Sequence, residues 1–272
     1  MLPSDDLARL APPPQPTDLV ADWAHAALFR AVRDTLFTLP TFFKSDLVIS
    51  GVLATDLFAF NASLGATIEV QVVEALNALR HTWDPQEQYS LYSFTRQPQR
   101  FPDVILRTAT PGLEPVLLGI ELKGWYVLAR EREPSFRYRV TPAVCAPADL
   151  LVVYPWALSN VISGSPRLFA PYVVGARYAA EYRNWHWQHA KEGVNPGELD
   201  LSEVHHYYLA KRDKISDVAR HDSPGNFGRF ARTKLMDEYI KTLFRETLAG
   251  IELDAWQKFL SRFSSKSMEG LE

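Results

Sequence analysis

Apolar residues recur along this chain at two periods, and the change from one to the other predicts its elements. At 61–81, Ile68, Val72, Val73, Leu76 and Leu79 return at helical spacing, with Asn61 or Ser63 placed to cap the start. The segment 18–39 has the same spacing through Leu19, Val20, Trp23, Ala27, Leu28, Ala31 and Leu36, and Pro40 is expected to end that helix. The apolar stretch 45–60 fits either a helix or a strand. Residues 89–94, YSLYSF, read as a strand. Two further apolar runs, 101–108 and 116–128, flank Thr110, Pro111, Gly112 and Pro115, whose turn chemistry predicts a hairpin. Residues 149–156, DLLVVYPW, predict a buried strand, and 204–209, VHHYYL, predict another. Helices are expected over 171–190, 227–248 and 253–263. This order predicts a mixed α/β fold: a mixed central sheet, a helix–three-strand antiparallel core and flanking helices.

Three charges interrupt the apolar hairpin: Asp103, Glu121 and Lys123. Strand side chains alternate faces, so Glu121 and Lys123 point the same way, roughly 6 to 7 Å apart. If the hairpin closes near 111–114, Asp103 falls opposite 121–123, within about 4.5 to 5.5 Å of its partner. Two carboxylates meeting on an apolar sheet repel each other and are costly to bury. Three arrangements remove that cost: one carboxylate keeps its proton, Lys123 pairs with them, or a divalent cation binds. Oxygen donors of this kind suit Mg²⁺, with Mn²⁺ as the alternative ion. Glu69, among the apolar residues of the 61–81 helix, is either a boundary carboxylate or a third acidic group turned toward the same face.

Bulk composition sets the frame. At 272 residues and 47% hydrophobic content the chain can bury one sizeable core. The expected division is an irregular, proline-rich lead-in at 1–19 and a single domain at 20–272. Within that domain the core is expected at about 61–156, and a helical C-terminal elaboration at about 173–272. No apolar run approaches the roughly 18 to 20 residues of a membrane span. The start of the chain lacks a secretory pattern, and Cys145 is the only cysteine, which excludes an internal disulfide. A cytoplasmic protein is expected.

Charge is uneven although the net value is only -3. Residues 1–124 hold nine Lys and Arg against fourteen Asp and Glu, whereas residues 205–245 hold nine against five. Local basic surface governs contact with a polyanion more than net charge does. Candidate phosphate contacts are Arg96 and Arg100 in the loop before Asp103, and Arg137 and Arg139 in the aromatic-interleaved run REREPSFRYR. Arg229, Arg232 and Lys234 join them at the start of the 227–248 helix, where the helix N-terminus also favours anions. Each set serves equally as a solvated surface. His205 and His206 point to opposite faces of a strand, which disfavours a shared metal.

Pro102-Asp103 followed by Glu121-Leu122-Lys123 on the next strand, downstream of a helix carrying Glu69, resembles the PD-(D/E)XK nuclease superfamily, which includes many type II restriction endonucleases. The resemblance covers roughly 65–156 and implies a restriction endonuclease-like fold. It implies that Asp103, Glu121 and the backbone carbonyl of Leu122 hold Mg²⁺, that Lys123 serves the water nucleophile, and that Glu69 is an auxiliary acid. The implied activity is sequence-specific hydrolysis of double-stranded DNA, and the implied assembly a homodimer, to which the aromatic content adds weak support. One departure stands out: 129–147, with Pro134, Pro142 and Pro147, reads as loop where the superfamily places a helix. Two other readings stand beside this one. The first is a catalytically silent protein of the same fold that binds nucleic acid or a protein partner. The second is a metal-free hydrolase using Glu69, Asp103 and Glu121 as acid and base, which Lys123 disfavours by stabilising an ionised Glu121.

Overall fold

Helix α1 (Ala26–Phe42) is the first helix among the described residues and buries Leu28, Val32, Leu36 and Leu39 on one face. The computed structural model describes residues 11–16, 23–51, 57–129, 131–190, 198–222 and 225–269. The start of the helix expected at 18–39 lies partly outside these residues. Its end differs from expectation: Pro40 sits inside the helix, which runs two residues further. Helix α2 (Leu57–Ala78) begins before Asn61 and Ser63, so neither residue caps it. Ile68, Val72 and Leu76 are buried along it, as their spacing predicts. One turn, α3 (Arg80–Trp83), follows and buries Trp83.

The sheet comes next. Strands β1 (Ser93–Arg96), β2 (Val104–Arg107) and β3 (Val116–Tyr126) form an antiparallel meander. β1 starts four residues later than the YSLYSF pattern suggests, because 84–92 is spent in turns held by Asp84 and Arg80. β4 (Leu150–Leu158) is buried along its whole length and runs parallel to β3, Glu121 beside Leu151 and Lys123 beside Val153. A parallel partner needs a long connection. That connection, 127–149, contains no α-helix among its described residues, only a 3₁₀ turn at Pro142–Val144. The far edge of β4 is shared by β5 (Pro166–Leu168) and β6 (Tyr172–Gly175), both antiparallel to it. The sheet is therefore mixed, six-stranded and flanked by helices: the molecule is mixed α/β.

The region 173–272 departs most from expectation. Its first residues belong to β6, which shortens the helix expected at 171–190 to α4 (Ala176–Trp185), followed by a π turn. Short β7 (Leu199–Asp200) and β8 (Val218–Ala219) pair with each other. The segment 204–209 is no strand, and both His205 and His206 are exposed. The single helix expected at 227–248 is broken. Gly228 and Lys234 have φ of 81° and 67°, values a helix excludes, and they bracket a 3₁₀ turn. What remains is α5 (Asp237–Leu243), the β9 (Thr247–Leu248) and β10 (Ile251–Glu252) pair, and α6 (Leu253–Glu269). No described helix is long and apolar enough to cross a membrane.

A buried ion pair ties this region to the core. Arg183 on α4 donates to Asp217 Oδ2 at 2.7 Å and to the carbonyls of Tyr138 and Val140 at 2.7 and 2.9 Å. Asp217 also accepts from Asn184 and from the Ser202 amide. Every donor is matched by an acceptor, the condition under which a buried charge is tolerated. The pair thereby fixes the 138–140 segment, which follows Phe136.

Candidate functional site

Register decides the site. Val104 pairs with Ile120, and one more step along the antiparallel ladder sets Asp103 opposite Glu121. The backbone ladder stops there and the two carboxylates continue it. The Asp103 amide donates to Glu121 Oε2 at 3.2 Å, and the Leu122 amide donates to Asp103 Oδ2 at 3.1 Å. Lys123 completes the group, its Nζ 2.6 Å from Glu121 Oε1 and 3.4 Å from Asp103 Oδ2. The hairpin thus brings its three charges together, and the ammonium lies between the carboxylates.

Electrostatics at this group are unequal. Glu121 is 4% exposed and Asp103 8%. Burial pushes the Glu121 carboxyl up; Lys123 opposes that shift and Asp103 adds to it. For Asp103 burial acts in the same upward direction, but Lys123 and a second lysine, Lys211, outweigh it and hold the carboxyl below its ordinary value. Burial alone would lower Lys123, yet Glu121 and Asp103 hold it above the ordinary lysine value. Two of the three anticipated remedies act together: ion pairing with Lys123, and a carboxyl in Glu121 that ionises less readily.

Lys211 had no signal in the sequence beyond a charged run. Its Nζ lies 3.1 Å from Asp103 Oδ1. Its segment is locked against the one preceding Asp103, since Phe101 N–H donates to Leu209 O and Lys211 N–H to Gln99 O, at 3.0 and 2.9 Å. Tertiary pairing across more than a hundred residues placed it there, and no local periodicity encodes such a contact. Asp149 is the second residue missed. It is buried just ahead of β4, accepts from the Ala146 amide at 2.8 Å, and has a carboxyl pushed up to about 7 by burial. Its only sequence signal was a charge at the head of the run DLLVVYPW; in the structure, pairing of Leu150 with Ile120 puts Asp149 beside Gly119, on the Glu121 side of β3. Gly119 must lack a side chain, because a Cβ there would lie 2.3 Å from Pro102 Cγ and 2.5 Å from Asp149 Oδ1.

A cleft of about 400 Å³ opens over Asp103, with Glu69, Arg96, Phe136 and Lys211 in its walls. Glu69 on α2 accepts from Arg96 Nη2 at 3.1 Å; burial and then Asp103 raise its carboxyl, and Arg96 lowers it. The other basic residues divide. Arg100 is exposed and donates to Tyr208 O at 3.2 Å. Arg137 and Arg229 are joined by a β-bridge, Arg139 donates to Phe227 O at 3.4 Å, and Arg232 to Asn226 Oδ1 at 2.6 Å. These four form one neighbourhood next to Phe136, which stacks on Phe230. Lys234 is exposed at a left-handed position instead of in the first turn of a helix, so the helix-terminus argument for Arg229, Arg232 and Lys234 fails.

Among the described residues no cluster of three or more His, Cys, Asp or Glu side chains is placed to hold a metal. The donors at hand are two carboxylates and one carbonyl. A strand residue's N–H and C=O point to the same side, so Leu122, whose N–H reaches Asp103, opens its carbonyl toward that side as well. Hard oxygens already gathered around a cation are a donor set of the type Mg²⁺ or Mn²⁺ accepts. Compared with known proteins, the chain matches no family model, no curated protein and no solved structure.

Proposed function

We propose that this protein is a metal-dependent endonuclease of the PD-(D/E)XK type that hydrolyses phosphodiester bonds in double-stranded DNA, with sequence specificity of the restriction kind. The observation that carries this reading is the Asp103–Glu121–Lys123 group, which meets a cleft through Asp103. Support comes from its setting as well: a helix bearing Glu69, three antiparallel strands, then a fourth strand parallel to the third.

Under this reading Asp103, Glu121 and the Leu122 carbonyl hold Mg²⁺, or Mn²⁺ in its place. When bound, the ion neutralises charge on a phosphoryl oxygen and makes a bound water a stronger nucleophile. Lys123 orients the attacking water and offsets the negative charge that grows in the transition state. Glu69 holds Arg96 at the cleft wall, and the basic neighbourhood around Arg137 and Arg229 takes flanking phosphates. A homodimer would present two such clefts and cut both strands.

Incubation with plasmid DNA and Mg²⁺ tests the proposal. Discrete fragments that vanish in EDTA and with Asp103→Asn are expected. Equal cutting by Asp103→Asn, or no Mg²⁺-dependent cutting by the wild type, would overturn it.

A further inference from the structure

The nuclease reading accounts for Lys123 but leaves Lys211 without a role. Lys211 differs from every other cation near the carboxylates. Lys123 is largely enclosed between Asp103 and Glu121, with 19% of its side chain exposed, whereas 46% of Lys211 is exposed and it forms part of the cleft wall. Arg96, the other cation of that wall, is held by Glu69. Among the described residues, Lys211 is the cation that both touches Asp103 and lines the open cleft.

Its mounting is rigid. The backbone of 209–211 is hydrogen-bonded to 99–101 on both sides of the Arg100–Ala210 bridge, and the Ala210 amide is held by Asp213 Oδ2 at 3.0 Å. The stem is therefore fixed while the ammonium keeps its reach. The local charges are also balanced: Asp103, Glu121 and Glu69 face Lys123, Lys211 and Arg96. A divalent cation taken up by Asp103 and Glu121 would make Lys211 surplus to Asp103. The group then closest to it from the cleft side is whatever anion the cleft holds.

We propose that Lys211 is a substrate-binding residue of this site: a second lysine that leaves Asp103 Oδ1 for a non-bridging oxygen of the phosphate bound in the cleft. This rests on the nuclease reading and adds a phosphate ligand from a segment outside the hairpin. A compact ammonium with three rotatable donors suits such an exchange between two anionic partners better than a planar guanidinium fork does.

The test is binding of a short labelled DNA duplex by fluorescence anisotropy across a salt series, with Ca²⁺ in place of Mg²⁺ to hold the complex uncut. One lost phosphate contact flattens the slope of log K against log salt by about 0.9. Lys211→Met and Lys211→Gln are both expected to show that flattening, at a melting temperature close to wild type, and Lys211→Arg to regain most of it. An unchanged slope with bound duplex would overturn the role of Lys211 and leave the nuclease reading to stand on Asp103 and Lys123. A lower melting temperature with an unchanged slope would do the same, marking Lys211 as a structural partner of Asp103. A wild-type protein that neither binds the duplex nor cuts with Mg²⁺ overturns both.

Discussion

The amide of Asp103 donates to the carboxylate of Glu121 across two neighbouring strands, and the Asp103 carboxylate accepts in return from the residue that follows Glu121. Each carboxylate is held by main chain as well as by lysine. Neither can swing to solvent without breaking a strand-to-strand contact, so the pair is preorganised by the same hydrogen-bond pattern that builds the sheet.

Lys123→Ala should remove cleavage and keep the fold. The ammonium touches both carboxylates, and loss of one preorganised charge at a reacting phosphate costs about 10²–10³-fold in rate. Single-turnover cleavage with Mg²⁺ measures it, and circular dichroism checks the fold. With the competing ammonium gone, Mg²⁺ should still raise the melting temperature, and EDTA should reverse that rise. A variant that cuts at the wild-type rate would sink the assignment of Lys123.

Glu69→Gln separates a contribution to the cleft from one to stability. The Glu69–Arg96 pair is partly exposed, and such pairs contribute about 1 kcal/mol or less. Denaturant midpoints should scarcely move. Cleavage should fall by about 10- to 100-fold, because Arg96 loses its anchor at the cleft wall and small misplacements carry penalties of that size. A large stability loss with normal cleavage would show that the pair is structural.

Asp149→Asn should change how stability depends on pH. The native Asp149 carboxyl keeps its proton up to about pH 7, whereas the unfolded one loses it near the ordinary value of 3.8. Between those values the native state binds more protons, so stability contributed by this group is present at low pH and lost as pH rises. The asparagine variant carries no such dependence. Its melting temperature relative to wild type should climb from about pH 4 to about pH 7 and level off above. A relative melting temperature that falls over that range is the contrary result.

Asp217→Ala should destabilise by about 3 to 5 kcal/mol, because it leaves the buried Arg183 guanidinium without its charge partner. Arg183→Met with Asp217→Leu should recover much of the loss, since the buried charge then goes as well. Urea unfolding of the three proteins reads both effects. Near-wild-type stability for the single variant would mean that the Tyr138 and Val140 carbonyls and Asn184 Oδ1 satisfy Arg183 without Asp217.

The parts of the fold legible in the sequence are those governed by nearby residues. Ile68, Val72 and Leu76 announce α2 by spacing, the apolar run 149–156 announces β4, and the turn chemistry at 110–115 announces the β2–β3 hairpin. The register that sets Asp103 against Glu121, with its shift between Leu106 and Arg107, is not encoded in that turn. Failures have specific causes. Tyr172 to Gly175 lies in β6 because the edge of β4 recruits it, although the aromatic spacing continues into a helix. The 227–248 helix is broken by left-handed backbone at Gly228 and Lys234, and amphipathic spacing carries no mark of that for a lysine. At the site, Asp103, Glu121 and Lys123 were visible as charges in apolar strands. Lys211 was not, because its position depends on pairing between 99–101 and 209–211.

That last pairing sets an order of events during synthesis. Eighty-eight residues separate Lys123 from Lys211. At about 5–20 residues per second, a ribosome needs roughly 4 to 18 s to add them. Throughout that interval the emerging hairpin carries Asp103 with one of its two lysines, and the wall of the cleft that 209–211 supplies does not yet exist. The nascent polypeptide therefore holds its acidic pair in an unfinished setting until 209–211 has been made.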